Sequence, residues 1–142
     1  MKPTLQFDEQ ELRALIRKLD DMPDRISRRV RKKALNFAAT PITRAIRQET
    51  PRGPTGNLRK SVGKNVKTYG EDFGLAIIGP RISGGYRGFH GHLVHDGHVA
   101  RDGSFVPGNP FLKRGAQRGR SEALARLQAK LAEGIEKEAK KK

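Results

Sequence analysis

The chain has 142 residues, 35% of them apolar and 32% charged, a balance that suits one modest core beneath a large polar surface. Thirty Lys and Arg stand against 15 Asp and Glu, a formal charge of +15. Because residues 1–60 hold 15 basic and 7 acidic side chains and residues 61–142 hold 15 and 8, the whole body is basic, and nucleic acid or an acidic protein surface is the expected neighbour. There is no cysteine, which excludes a disulfide framework, a cysteine-ligated zinc and a cysteine nucleophile.

Residues 2–7 predict a short strand. Asp8 then reads as a helix N-cap with Glu11 as its capping-box partner. Leu12, Leu15, Ile16 and Leu19 follow at helical spacing, predicting a helix over about 8–20. Asp20-Asp21-Met22-Pro23 is a break, and Pro23 opens a second helix over about 23–49. Its apolar positions include Ile26, Val30, Ala34, Phe37, Ala45 and Ile46. Pro41 falls inside the pattern, so the helix is expected to bend near 38–41 or to split into two abutting helices.

Residues 50–56 break the chain again. Asn57 to Val62 predicts one helical turn leading into a strand, and residues 62–69 and 73–79 predict a hairpin turning at 70–72. Eight glycines lie in residues 79–108. Residues 80–88 read as a long loop, 89–94 as a third strand, and 96–108 as another exposed loop. Asn109-Pro110 has the form of an N-cap and first helical residue. The last helix carries Phe111, Leu112, Ala116, Leu124, Leu127, Leu131 and Ile135, with Gly115 and Gly119 weakening its start. Residues 137–142 read as a charged tail. The order predicts a single α+β domain: a small antiparallel sheet packed by a long Pro-kinked helix, a short N-terminal helix and a C-terminal helix. No stretch has the length or apolarity of a transmembrane span. Acidic residues at 8, 9 and 11 interrupt any signal-peptide core, so synthesis in a cytoplasm is expected.

All four histidines, His90, His92, His95 and His98, fall within nine residues. On a strand, His90 and His92 would share a face, a spacing able to bind a transition metal. A glycine- and histidine-rich contact loop explains the same residues without a metal. No serine sits in a nucleophile-elbow context, and the glycines lack phosphate-loop spacing. The sequence therefore reads as a non-enzyme with no catalytic residue, cofactor or metal. Its sharpest electrostatic feature is Arg28, Arg29, Arg31, Lys32 and Lys33, five basic residues in six positions. That run suits non-specific, salt-sensitive phosphate contact, and a basic nucleic-acid-binding protein is the alternative reading of the chain. Aromatic interleaving is absent there, which argues against a platform for stacking single strands.

Three features in order carry a resemblance. The first is the proline-interrupted helix at Phe37-Ala38-Ala39-Thr40-Pro41-Ile42. The second is Thr55-Gly56-Asn57-Leu58-Arg59-Lys60-Ser61, shortly after Pro51. The third is Asn109-Pro110-Phe111-Leu112 at the start of the last helix. Together they resemble the tail-component family of long-tailed, lambda-like phages over about residues 8–125. Where family members carry an acidic residue, an apolar residue, Gly and Thr, this chain has His95-Asp96-Gly97-His98. The resemblance implies a structural virion protein of the neck or the head-proximal tail end. It implies a homo-oligomeric ring, six-fold or matching that symmetry, between the portal-connector complex and the tail tube. Connector or stopper proteins, tail-terminator or tail-tube proteins and the packaged DNA would be its partners, with no membrane. On that reading Gly84, Gly85, Tyr86, Phe89, His95, Asp96, His98 and Phe105 are expected in subunit or partner contacts, and the basic run from Arg28 to Lys33 is expected to face DNA.

Overall fold

A computed structural model describes residues 7–53, 55–69 and 73–141. Nine elements follow one another: α1 (Glu9–Asp20), α2 (Asp24–Glu49), α3 (Asn57–Ser61), β1 (Val62–Tyr69), β2 (Phe73–Pro80), α4 (Gly91–Asp96), β3 (Gly97–Val99), β4 (Phe105–Pro107) and α5 (Phe111–Ala139). The fold is α+β. The strands form two separate two-stranded sheets, β1–β2 and β3–β4. The expected strand before α1 and the hairpin turn at 70–72 lie outside the described residues.

The chain packs into two compact units. One comprises Met1–Pro41, Lys64–Ile77 and Arg120–Lys142, the other Ile42–Gly63 and Ile78–Gly119. In the first, Leu15 and Leu19 of α1, Val30 and Ala34 of α2, and Leu131 and Ile135 of α5 form the core. Their four-residue spacing puts each pair on one helix face. Asp8 caps α1 as expected, its side chain accepting from the amides of Gln10 (2.9 Å) and Glu11 (3.4 Å). The reciprocal half of the capping box is taken by another residue. Gln128 Oε1 accepts the Asp8 amide at 2.8 Å, and Gln128 Nε2 donates to Glu11 at 2.7 Å. A buried glutamine on α5 thus fastens the start of α1.

The helix carrying Pro41 is continuous from Asp24 to Glu49, so the alternative of two abutting helices does not hold. Proline deprives its turn of one amide donor. The carbonyl left without that donor is that of Phe37; the neighbouring Asn36 carbonyl accepts from Lys64 Nζ (2.8 Å) and from Thr40 Oγ1 (3.2 Å). Burial lowers the Lys64 pKa, and the nearby Arg126 charge adds to that shift.

In the second unit, Ile46, Leu58, Val62 and Phe111 form the core, flanked by Ile42, Ile78, Val94 and Leu112. Arginines organise the segment leading into β1. The Thr50 carbonyl accepts from Arg59 Nε (3.1 Å) and Nη2 (3.0 Å). The Ser61 carbonyl accepts from Arg81 Nε (2.9 Å) and the Arg81 amide (3.0 Å). Gly56, at φ +70°, opens α3, and Leu58 drops into the core. The Thr-Gly-x-Leu-Arg-x-Ser block is therefore an architectural device: a left-handed glycine, an apolar anchor and a guanidinium clamp.

Two expectations fail in the glycine-rich stretch. The third strand expected at 89–94 is replaced by the short helix α4. Gly91 is buried and Val94 and His95 half-buried, while His92, Leu93 and Asp96 face out. That inward spacing of three and four is helical, and a short apolar run does not separate the two periods by itself. The expected loop at 96–108 instead contains the β3–β4 hairpin, with Gly97 opposite Pro107, His98 opposite Val106 and Val99 opposite Phe105. Three-residue strands are too short to show alternation. Gly97 sits at φ +87°, where a Cβ would lie 2.8 Å from both the Gly108 amide nitrogen and the Val106 carbonyl oxygen, so only glycine fits.

Candidate functional site

The first unit carries a basic trough along α2. Arg25, Arg28, Arg29 and Lys32 line an open depression of about 500 Å³ together with Asp24 and Thr68 of β1. Arg29 and Lys32 also wall a second one of about 520 Å³, with Lys33, Asn36, Lys64, Asn65 and Val66. The shared walls make the two depressions adjoin. Positions 25, 28, 29, 32 and 36 repeat at three and four, so one helix face presents them.

The expected basic residues take different parts in it. Arg28, Lys32 and Lys33 are exposed, and no carboxylate pairs with them among the described residues. Arg29 is ion-paired with Glu138 of α5, whose carboxyl the guanidinium holds below its ordinary range. Arg31 turns away from the trough. It is half-buried, donates to Asp20 at 2.5 Å and reaches Ser27 Oγ at 3.1 Å, and so fastens α2 to the end of α1. Sequence reasoning missed Arg25 and Lys64. Arg25 was legible as the position one turn before Arg28 and Arg29. Lys64 lies on a strand, and no local pattern joins it to the helix.

The second unit presents apolar surface. Among the described residues, Ile82, Tyr86, Phe89, Leu93, Val99, Phe105 and Val106 are large apolar side chains left exposed, with Ile82, Phe89, Val99 and Phe105 each about two-thirds exposed or more. They sit on the loop after β2, on α4 and on the β3–β4 hairpin. Gly84 and Gly85 turn that loop at positive φ. Tyr86 lies under the Arg81 guanidinium, 3.6 Å from its centroid, and this stacking fixes the loop's near end. Phe89 meets the edge of His90.

His95 bonds Asp96 through Nδ1 at 2.8 Å and packs edge-on against Phe111. His98 pairs with Val106 across the hairpin. Because 91–96 is helical and His90 is its N-cap, the shared strand face expected for His90 and His92 is not formed. Among the described residues, no group of three or more His, Asp or Glu side chains is arranged to hold a metal ion. No helix among them is long and apolar enough to cross a membrane.

Residues 13–97 match the family described as "Bacteriophage HK97-gp10, putative tail-component". The chain belongs to this family. The match runs from α1 to the first residue of β3. It takes in the basic face of α2 and the Arg59 clamp, while the Pro-Phe-Leu block at the head of α5 lies beyond it. No curated protein and no solved structure matches the chain. Membership in the HK97-gp10-like family makes this a structural, virion-associated phage protein that works against other phage structural proteins.

Proposed function

We propose that the protein is a neck or tail-completion component that assembles as a ring between the portal-connector complex and the tail tube. One observation carries the reading: a member of a phage tail-component family leaves seven large apolar side chains exposed within residues 82–106. Isolated apolar residues on a surface are ordinary, but exposed apolar side chains that gather into one patch mark a contact surface, and these seven are taken to contribute to one. Gly84, Gly85, Tyr86, Phe89, His95, Asp96, His98 and Phe105 lie in that stretch and are assigned to subunit or partner contacts. A ring closes through head-to-tail contacts between unlike patches. Glycine-rich segments can adjust to such contacts at an ordering cost, which makes assembly conditional on the partner ring. The free chain is then monomeric or weakly associated.

The test is a phage lacking this gene. Electron microscopy of the lysate is expected to show filled heads and tails that remain unjoined, or tails with defective head-proximal ends. Complementation with the natural gene restores joined particles, and a Phe89→Ser, Phe105→Ser double variant does not. Normal infectious particles from the deletion would overturn the proposal.

A further inference from the structure

We infer that the α2–β1 trough is a binding surface for the sugar-phosphate backbone of duplex nucleic acid. The inference stands on the first unit alone and is independent of the ring assignment. Six cationic residues, Arg25, Arg28, Arg29, Lys32, Lys33 and Lys64, line the two adjoining depressions against one acidic residue, Asp24. Glu138 neutralises Arg29, and Lys64 Nζ is committed to Asn36 and Thr40. Arg25, Arg28, Lys32 and Lys33 remain without a carboxylate partner among the described residues, so their charge is available to a ligand.

The dimensions suit an extended polyanion. From Arg25 to Asn36 the helix rises about 16 Å. Over that length a duplex presents about five phosphates on each strand. Asn36, Asn65 and Thr68 add neutral polar groups to the walls, the mixture that positions a protein on phosphates without reading bases.

Other polyanions fit less well. A protein partner's interface core is poor in lysine and rich in aromatic side chains, and the trough has lysines and no aromatic residue. Membrane binding by an amphipathic helix needs apolar side chains beside the cations. Of the lining residues only Val66 is apolar, and it is half-buried. Single strands would require stacking platforms, which the missing aromatics exclude.

The experiment measures binding of the full chain to a 30-base-pair duplex of arbitrary sequence between 50 and 300 mM salt. Four available cations predict a slope of log affinity against log salt of about −4. The Arg28→Gln, Lys32→Gln double variant is expected to make that slope shallower by about 2. Lys33→Gln alone is expected to make it shallower by about 1. A control variant, Arg101→Gln with Lys113→Gln, removes the same charge from exposed positions of the second unit and leaves the slope nearly unchanged. Circular dichroism checks that each variant is folded. Three results would overturn the inference: no duplex binding at 50 mM salt, a control variant that lowers the slope as much as the trough variant, or trough substitutions that abolish binding to anionic lipid vesicles or polyglutamate while duplex binding persists.

Discussion

Replacing Gly115 by alanine sets two physical effects against each other. Gly115 is an interior residue of α5, where alanine gains about 1 kcal/mol of helix propensity over glycine. On that ground alone the variant would be more stable. A Cβ at this position, however, would lie 2.4 Å from Ile46 Cα, 2.5 Å from Ile46 Cγ1 and 2.6 Å from Ile46 N. Two of those three atoms are backbone and cannot rotate away. The Cβ must gain about 1 Å before the contact is tolerable, and Phe111 and Ile46, both at most 3% exposed, lose packing as it does so. Overpacking of this kind costs about 1–3 kcal/mol. With an unyielding backbone neighbour the upper end applies, so the net loss is about 2 kcal/mol, or about 6 °C in Tm for a chain of this size. Thermal and urea unfolding followed by circular dichroism measures it. Gly134→Ala is the internal standard, because the three atoms nearest its Cβ all belong to the Val30 side chain, the closest a methyl at 2.8 Å. That side chain can turn, and Gly134→Ala is expected within about 1 kcal/mol of the natural chain. A Gly115→Ala protein as stable as the natural chain would refute the reasoning.

Other consequences are as direct. Arg59→Lys keeps the charge and loses the two-pronged bond to the Thr50 carbonyl, and is expected to cost about 1–2 kcal/mol in urea unfolding; an unchanged midpoint would show that the clamp contributes nothing. Gly97→Ala forces a side chain onto a glycine-only conformation, at about 1–3 kcal/mol, so the amides of Ala100 and Gly103, bonded to the Ser104 and Ala100 carbonyls, should exchange with solvent about fivefold faster or more. Hydrogen bonds from Arg114 and then Arg118 hold the Glu49 pKa below 4.5. A carboxyl whose folded pKa is depressed contributes stability that is present above its unfolded pKa and lost as pH falls through the folded one. Stability should therefore fall from about pH 4.5 downward, and Glu49→Gln should flatten that fall in a Tm-against-pH series; an identical slope in both proteins counts against the Arg114–Glu49–Arg118 cluster.

What the sequence made legible follows from how local each signal was. The ends of α1, the long α2, the single turn before β1 and the β1–β2 strands all rest on apolar periodicity or on breakers within a few residues. Asp8 was recognisable as a cap because it precedes a clean three-four pattern. The reciprocal partner was not, because Gln128 lies 120 residues away. Gly115 reads as a weakness in α5 because its close neighbour, Ile46, is remote in sequence. Residues 89–107 misled for a different reason. The elements are three to six residues long, and much of their apolar surface faces outward instead of marking a core. The candidate site was half legible. The basic run named the helix, but the strand that completes the trough and the ion pairs that remove Arg29 and Arg31 from it are tertiary facts.

We propose that this chain is built into the virion's head–tail junction. A cryo-electron microscopy map of intact particles tests it most directly. The expected result is a ring of copies of this fold at the head-proximal end of the tail, with residues 82–106 buried against neighbouring subunits or the adjoining ring. Particles whose head–tail junction is fully accounted for by other chains, with this fold absent, would contradict it.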